Sequence, residues 1–365
     1  MRVLVLLTDL FDAIGGIQTF NRCLVKALDE IAHEKGWKVT ILVLNDSGNN
    51  PLASKYLGLS KYKCSNKNKL LFIFMTLFAS FKADVIFFGH VNFSPLAVLL
   101  RLVFHRLKMF LVVYGVDVWR RFPIIHALGI NSMNKVLSIS VESQRQLQQF
   151  NKLDQSKMII VPCTLDPFYC PVSVESNREK LKLPHGKMML TVSRLYSGDN
   201  YKNIDKVIEA MPHVVKEIPD AFYVVAGDGS DRNRLEKLTN ETGVKNNVIF
   251  TGFVRAELLP FYYKACDVFV LPSVGEGFGI VFLEAMYFSK PCIGAKAGGV
   301  PEVVEDGKTG FLVEENDKNF LADKIIKLLK DENLRQTMGE AGKKRFEEEF
   351  SFDKFKERLK EVLCH

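Results

Sequence analysis

The sequence lacks any CxxC pair, and its seven cysteines form an odd, scattered set. This pattern argues against a structural zinc site and indicates a reduced, cytoplasmic protein. The sequence also lacks an apolar run long enough to span a bilayer, since the longest, LLFIFMTLFASF, covers only residues 70–81. The apolar run that begins at Val3 stops at Thr8 and Asp9, which predicts a first β-strand and not a signal peptide.

Acidic residues are scarce in the amino-terminal part of the chain. Residues 1–165 contain 20 Lys and Arg against 10 Asp and Glu, whereas the remainder contains 29 against 32. The amino-terminal part therefore meets an anionic surface first. Its densest segment, residues 55–69, holds five lysines and no acid and runs into the apolar residues 70–81. Two interpretations stay open: the segment lies on an anionic membrane, or it is a solvated loop that leads into a buried helix.

The chain of 365 residues is longer than one hydrophobic core usually serves, so two domains are expected. Strand-like segments that are apolar throughout alternate with helical patterns, which predicts parallel sheets covered on both faces. The series pauses near residues 166–171 and then starts again, which predicts two Rossmann-like domains in tandem. The strand-like segments are RVLVLL, KVTILVLN, ADVIFFGH, MFLVVYG, KVLSISVES and MIIVPC in the first half, and KMMLTVSRL, AFYVVAGDG, NVIFTGF, DVFVLPS, KPCIGAKAGG and TGFLV in the second.

The segment PSVGEGFGIVFLEAM carries two glutamates, Glu276 and Glu284, with seven residues between them. On one continuous helix their side chains would lie roughly 80° apart, which is a poor arrangement for one ligand. The three glycines of GEGFG indicate instead that the helix begins near Gly279 or Ile280. Glu276 then lies on the loop after the strand DVFVLPS, and Glu284 lies about one turn inside the helix. The N–H groups between them suit a phosphate and the carboxylates suit hydroxyls, which together describe a nucleotide sugar.

Other loops at the carboxyl ends of predicted strands carry groups of the same kind. Arg194 and Lys202 flank one such loop, and their charges suit a diphosphate. Gly15 and Gly16 precede the first predicted helix, where exposed N–H groups can approach an anion. Glycine-containing loops follow two further strands, where the backbone approaches a base or a ribose unless these are ordinary turns. They are AGDGS, with Gly227 and Asp228, and FTGFV, with Gly252, Phe253 and Val254.

Taken in order, these motifs resemble the retaining glycosyltransferases of family 4, which have the GT-B fold. The likeness covers most of the carboxyl-terminal half, where Glu276 and Glu284 are followed by KPCIGAKAGGVPEVVEDGKTGFLV. In the amino-terminal half it rests on the Gly-Gly pair, on FFGHVNFSPLA and on YGVDVW. It implies two Rossmann-like domains, residues 1–165 and 166–345, that face each other across a crevice. It also implies that a last helix, within residues 346–365, packs back on the first domain.

The resemblance also implies a role for each motif. Glu284 should hydrogen-bond the ribose, and Glu276 the hydroxyls of the donor sugar. Arg194 and Lys202 should hold the diphosphate and stabilise charge on the leaving group. Retention without a metal is implied as well, in agreement with the lack of any Asp-x-Asp sequence. Backbone groups should contact sugar and phosphate at Gly277, Phe278, Gly279, Ile280 and Val281, the base at Gly252, Phe253 and Val254, and the phosphates at Gly16.

The chain departs from the family in the loop YGVDVW, where many members have a His-Gly pair and this chain has Tyr114 and Gly115. Tyr114 is a candidate for hydrogen bonding to the donor sugar or phosphate, but the role of that histidine is not transferred to it. Asp117 either approaches the anomeric carbon or caps a local turn, and His90 has the same choice between a catalytic and a structural role. A front-face mechanism needs no protein nucleophile, because the leaving phosphate helps to deprotonate the acceptor.

The expected activity is transfer of a hexose, from UDP-glucose, to a glycan or lipid-linked acceptor in polysaccharide biosynthesis. Neither a cofactor nor a metal is expected, and no nucleic acid partner. The expected location is cytoplasmic, with peripheral contact at the inner face of the plasma membrane as an option. A nucleotide-sugar epimerase, a phosphorylase and an inactive partner subunit remain alternatives. A nicotinamide dehydrogenase is disfavoured, because the first strand-to-helix turn lacks GxGxxG.

Overall fold

The computed structural model describes residues 1–151, 153–169, 178–315 and 317–364. Its contacts divide the chain into two compact units. The amino-terminal unit comprises Met1–Pro167 together with Phe350–His365, and the carboxyl-terminal unit comprises Phe168–Glu349. The linker expected at residues 166–171 ends outside the described residues, because Cys170 and Pro171 are not among them.

The amino-terminal unit is built on a seven-stranded parallel sheet with the order β3-β2-β1-β4-β5-β6-β7. Its central strands are buried on both faces, which explains why they are apolar throughout. The strands are β1 Arg2–Leu7, β2 Lys38–Val43, β3 Lys61–Cys64, β4 Val85–Phe88, β5 Lys108–Val113, β6 Lys135–Ser138 and β7 Met158–Ile160. The α-helices are α1 Gly16–Lys35, α2 Ala53–Tyr56, α3 Lys69–Ser80, α4 Ser94–Val103, α5 Ile124–Asn131, α6 Val141–Asn151 and the last helix of the chain, Phe352–Cys364.

The carboxyl-terminal unit is built on a six-stranded parallel sheet with the order β10-β9-β8-β11-β12-β13. The strands are β8 Lys187–Val192, β9 Ala221–Ala226, β10 Val248–Gly252, β11 Val268–Leu271, β12 Cys292–Ala295 and β13 Gly310–Val313. The α-helices are α7 Ile204–Glu217, α8 Arg232–Glu241, α9 Leu259–Ala265, α10 Ile280–Tyr287, α11 Val300–Val303, α12 Lys318–Lys330 and α13 Glu332–Arg345, so that the last helix of the chain is α14. The two sheets confirm the predicted α/β class.

In each sheet the order of the strands switches from one side of the first strand to the other at one point. Ligands of such sheets bind near that point. In the carboxyl-terminal unit the chain runs outward from β8 through β9 to β10 and then returns to the other side of β8 as β11. The amino-terminal sheet does the same between β1 and β4. Crevices for ligands form at the carboxyl ends of strands at such switch points. The loops after β8 and β11, which carry the predicted Arg, Lys and Glu residues, lie at one of them.

Helix α14 packs in the amino-terminal unit against α1. The ring of Phe355 is fully buried and meets the Phe20 ring edge to face at a centroid distance of 5.3 Å. Burying such a side chain contributes about 1.5–3 kcal/mol to folding. Lys356 lies 2.8 Å from a carboxylate oxygen of Glu30 at the rim of this contact. The last helix therefore packs on the amino-terminal unit, as the resemblance implies.

The lysine-rich segment at residues 55–69 is only in part the solvated loop of one of the two interpretations. It forms the end of α2 and the edge strand β3, which pairs in parallel with β2. The strand exposes Lys61 and Lys63 and turns Tyr62 inward, where its hydroxyl donates to Asp46 at 2.8 Å. Lysines on an edge strand discourage pairing with another chain. The following helix, α3, is not the buried helix of that interpretation either, since several of its large apolar side chains are exposed. None of the helices formed by described residues is both long and apolar enough to cross a membrane.

Candidate active site

The loop between β11 and α10 has the geometry predicted from its glycines. Helix α10 begins at Ile280, and Gly279 precedes it with φ of 99°, a left-handed conformation that a residue with a side chain rarely adopts. Glu276 therefore lies on the loop and Glu284 lies inside the helix. The predicted boundary between the two glutamates is confirmed.

This loop is fixed by backbone contacts to two neighbouring loops. The N–H of Val274 donates to the carbonyl of Tyr201 at 2.9 Å, and the N–H of Gly299 donates to the carbonyl of Glu276 at 2.8 Å. A Cβ atom added at Gly275 would lie 2.5 Å from the ring of Tyr201, so only glycine fits there without a shift. The side chain of Glu276 thus projects from a rigid support.

Lys202 and Glu276 form an ion pair across the switch point. The distance from Nζ to Oε1 is 2.5 Å, and both side chains are mostly buried. Asn203, the next residue, donates from its side-chain amide to the carbonyl of Pro272 at 2.9 Å. The loops after β8 and β11 are therefore linked side by side, with one cation and one anion at their meeting point.

Arg194 is held differently from Lys202. Its guanidinium donates to Asp199 from Nη2 at 2.7 Å and from Nε at 3.0 Å, and it lies over the ring of Tyr196. The side chain remains largely exposed, and it lines the same small cleft as Lys202. Asp199 was not among the predicted site residues. The acid five positions after Arg194 in the same loop is the signal that would have identified it.

Glu284 is held by a residue that the sequence analysis also missed. The hydroxyl of Tyr263, on α9, donates to Oε2 of Glu284 at 2.6 Å. Burial raises the pKa of Glu284 to about 7, and the hydrogen bond from Tyr263 partly offsets that rise. Further hydrogen-bond donors, such as the hydroxyls of a ribose, would therefore stabilise the ionised carboxylate.

The glycine loop after β9 packs against the loop after β8 and against the end of β10. A Cβ atom at Gly227 would lie 1.8 Å from the carbonyl oxygen of Ser193. The backbone packs too closely here for any residue other than glycine. The N–H of Gly227 donates to the carbonyl of Gly252 at 3.0 Å. Asp228 and Phe253 are exposed on these loops, Val254 is half-buried, and Phe278 is buried. Of the predicted backbone contacts, Gly277 is half-buried in the loop before α10, and Ile280 and Val281 are half-buried at the start of that helix.

In the amino-terminal unit, Tyr114 is buried and its hydroxyl is engaged inside the fold. The hydroxyl oxygen lies 2.8 Å from Oδ1 of Asn21 and 3.0 Å from the carbonyl oxygen of Gly89, and both of these atoms accept a hydrogen bond from it. His90 follows that glycine and caps a short turn, with Nδ1 accepting from the N–H of Asn92 at 3.1 Å. Burial lowers the pKa of His90 below its usual range. Tyr114 therefore supports the loop that carries His90.

Asp117 is a buried carboxyl group in the same unit. Burial raises its pKa to about 7, although backbone N–H groups of its own loop act in the opposite direction. Within the described part of the chain, neither carboxylate oxygen has a hydrogen bond of good geometry. Gly15 and Gly16 lie where predicted, with Gly15 before the first turn of α1 and Gly16 as its first residue. No cluster of three or more His, Cys, Asp or Glu side chains suited to a metal occurs among the described residues.

The chain is similar to several known proteins. Residues 173–345 match the model of the family glycosyl transferases group 1. A segment of 155 residues is 38% identical to N-acetyl-alpha-D-glucosaminyl L-malate synthase of Bacillus anthracis and covers 42% of this chain and 39% of that protein. A segment of 200 residues is 32% identical to a GDP-mannose-dependent alpha-(1-6)-phosphatidylinositol monomannoside mannosyltransferase of Mycobacterium tuberculosis and covers 53% of this chain and 51% of that protein. The matched segments thus span about half or less of these relatives.

Solved structures extend the likeness of the fold to the whole chain. HepE of Anabaena in complex with UDP matches with a TM-score of 0.82 at 19% identity, over 100% of both chains. Sucrose-phosphate synthase of Thermosynechococcus elongatus matches with a TM-score of 0.79 at 23% identity, over 100% of this chain and 98% of that one. The chain has the GT-B fold, as the sequence motifs led us to expect.

Proposed function

We propose that this protein is a retaining, metal-independent glycosyltransferase that moves a hexose from a nucleoside diphosphate sugar, with UDP-glucose as the donor, to a glycan or lipid-linked acceptor. The observation that carries the proposal is the set formed by Lys202, Glu276 and Glu284 around the start of α10. It offers a cation, two carboxylates and the N–H groups of a helix end within one switch-point crevice.

The donor would bind along this set. Glu284 would accept hydrogen bonds from the ribose, the helix end and Lys202 would hold the diphosphate, and Arg194 would approach from the exposed side of the cleft. The diphosphate would compete with Glu276 for Lys202. Release from that ion pair would free the Glu276 carboxylate to accept hydrogen bonds from sugar hydroxyls. The loops after β9 and β10, with Gly227, Asp228 and residues 252–254, would lie beside the nucleoside.

The transfer step would proceed on one face of the sugar. An acceptor hydroxyl oxygen would form the new bond to the anomeric carbon as the bond from that carbon to the phosphate oxygen breaks. The acceptor proton would pass to the leaving diphosphate, whose growing charge Arg194 and Lys202 would stabilise. This course retains the configuration and requires neither a protein nucleophile nor a metal ion.

The amino-terminal unit would bind the acceptor. His90 and Asp117 are the polar residues there with the best claim to touch a substrate, since the Tyr114 hydroxyl is already engaged by Asn21 and Gly89. We assign Tyr114 a positioning role and leave contact with the reacting atoms to the other two. A cytoplasmic location, peripheral at the inner face of the plasma membrane, belongs to the same proposal.

The choice of UDP-glucose rests on the likeness to HepE, which has been crystallised with UDP and with UDP-glucose. Relatives by sequence bear names that specify other sugars, such as GDP-mannose. The test is to incubate the purified chain with UDP-glucose, UDP-galactose, UDP-N-acetylglucosamine and GDP-mannose and to follow nucleotide release. We expect UDP release to be fastest from UDP-glucose. Failure to bind or cleave any of the four would overturn the proposal, and conversion to another nucleotide sugar would indicate an epimerase.

A further inference from the structure

Helix α3 has the reverse of the usual arrangement for a surface helix. Its hydroxyl residues face inward: Thr76 and Ser80 are buried, and each donates to a carbonyl one turn earlier, at 2.8 and 2.7 Å. Its outward face is apolar, whereas a helix on the surface of a soluble domain normally has a polar outer face. The exposed fractions are 80% for Leu70, 68% for Phe74, 68% for Phe78 and 72% for Phe81, the residue after the helix.

Helix α4 continues this surface. Leu99, Leu102 and Val103 are exposed on α4, which packs beside α3. The ring of Phe81 meets that of Phe104 edge to face at a centroid distance of 4.9 Å, which joins the ends of the two helices. We call the exposed apolar side chains of residues 70–81 and 99–103 the α3–α4 face. Apolar patches of this kind on a domain surface mark a docking site.

The part of the sequence that contains the α3–α4 face is strongly basic. Residues 47–116 contain nine Lys and Arg and one acidic residue, Asp84. The carboxylate of Asp84 accepts a hydrogen bond from the backbone N–H of Arg2. Lys69, Lys82 and Arg106 are exposed, and none of them forms an ion pair with a described residue. The docking partner should therefore be anionic as well as apolar.

A cleft lies at the edge of the α3–α4 face. It has a volume of about 590 Å³ and is lined by Phe81, Phe104, Arg106 and Lys108 together with one carboxylate, that of Asp84. Aromatic rings next to exposed cationic groups suit the interface of a bilayer, where acyl chains and phosphate groups meet.

We propose that the α3–α4 face docks the protein on an anionic lipid bilayer, with the phenylalanines entering the interface and Lys69, Lys82 and Arg106 lying against the headgroups. A second copy of the chain is a poorer occupant, because a two-fold contact through this face would bring two basic surfaces together. Only the purpose of docking rests on the proposed function, since docking would bring the enzyme to a lipid-linked acceptor. Its test does not require transferase activity.

The test is sedimentation of the full chain with vesicles of phosphatidylcholine alone or with about 30% phosphatidylglycerol. We expect binding to the anionic vesicles, with affinity reduced at least about tenfold when salt rises from roughly 0.1 to 0.5 M. The double variant Phe74→Ser with Phe78→Ser should lose about tenfold or more in affinity. The double variant Lys69→Ser with Lys82→Ser should lose less, and only on anionic vesicles.

Matched controls lie in the carboxyl-terminal unit. Phe320 is an exposed phenylalanine on α12, and Lys237 and Lys344 are exposed lysines, so Phe320→Ser and the double variant of the two lysines should bind as the unaltered chain does. Circular dichroism and the melting temperature check that each variant is folded. Equal binding to neutral and anionic vesicles, equal loss in the controls, or no binding at all would overturn the proposal. So would a dimer in light scattering that becomes a monomer in the Phe74 and Phe78 variant, since the face would then be an interface between copies.

Discussion

Lys202 and Glu276 stand 74 residues apart in the chain, yet Nζ of the lysine lies 2.5 Å from Oε1 of the glutamate. The pair joins the loop after β8 to the loop after β11, and these strands are neighbours at the switch point of the sheet. A partly buried ion pair at such a place holds the two loops together and is also the first contact that a diphosphate would disturb.

Removal of one partner of this pair should destabilise the protein, because the other charge is left partly buried. We expect Lys202→Met to lower the free energy of unfolding by about 1–3 kcal/mol. The double variant with Glu276→Leu should recover part of that loss, and urea denaturation measures both. If the double variant loses as much free energy of unfolding as the two single variants together, the side chains do not interact in solution.

The same residues should separate in their effect on catalysis. Lys202→Met should lower kcat by about 10²- to 10³-fold, because its charge would stabilise the leaving group in the transition state. Glu276→Gln should lower kcat/KM by about 10- to 100-fold, as expected for a charged hydrogen bond to the sugar. Steady-state rates of UDP release give both values. Lys237→Met, on the exposed surface of α8, is the matched control and should leave the rates unchanged.

Tyr263 should set the pH dependence of nucleotide binding through Glu284. Its hydroxyl stabilises the ionised carboxylate, whose pKa is raised to about 7 by burial. If the ionised form binds the ribose, UDP affinity should increase as the pH rises through about 7 in the unaltered chain. Tyr263→Phe should move that increase to higher pH, which isothermal titration calorimetry at several pH values would detect. An unchanged profile in Tyr263→Phe would mean that the tyrosine does not act through Glu284.

Asp117 should cost stability at high pH. The pKa of the folded protein, about 7, lies above the ordinary value of 3.8, so the folded state binds the proton more tightly than the unfolded state. Stability from this group therefore falls as the pH rises from about 4 to 7, and the loss is complete above 7. Asp117→Asn should raise the free energy of unfolding at pH 8 by about 1–3 kcal/mol and change it little at pH 4. Denaturation at both values checks this, and an equal effect at both would rule out the carboxylate charge as the cause.

Tyr114→Phe should distinguish positioning from contact with substrate. The variant loses the hydrogen bonds to Asn21 and Gly89, which should cost about 1–2 kcal/mol of stability because these groups are buried. Since the hydroxyl does not face a ligand in this arrangement, KM for the donor should change less than about threefold. Differential scanning calorimetry and donor saturation curves give the two quantities. A large rise in KM with normal stability would place the hydroxyl on the donor instead.

The parts of the site that depend on local sequence could be predicted, and those that depend on strand order could not. The glycines before Ile280 specify the start of α10, because a left-handed residue at Gly279 and close packing at Gly275 are local requirements. The ion pair of Lys202 with Glu276 is not local. It exists because β8 and β11 are adjacent, and nothing in either loop alone reveals that adjacency.

The same limit explains the missed partners and the missed strand. Tyr263 lies in an apolar helix where a tyrosine looks like core, and only the packing of α9 beside α10 brings its hydroxyl to Glu284. Strand β3 is four residues long and half lysine, so its pattern is as typical of a loop as of an edge strand. Helix α3 is apolar except for Lys69, Thr76 and Ser80, and such a pattern does not specify which face of the helix the fold leaves uncovered.

The most direct test of the account is to follow the hydrolysis of UDP-glucose by ¹H NMR, with water as the acceptor, before the product sugar equilibrates. We expect UDP to appear together with glucose that is initially the α-anomer, and Glu276→Gln to suppress both signals. Glucose released first as the β-anomer, or no UDP from this donor at concentrations that saturate binding, would contradict it.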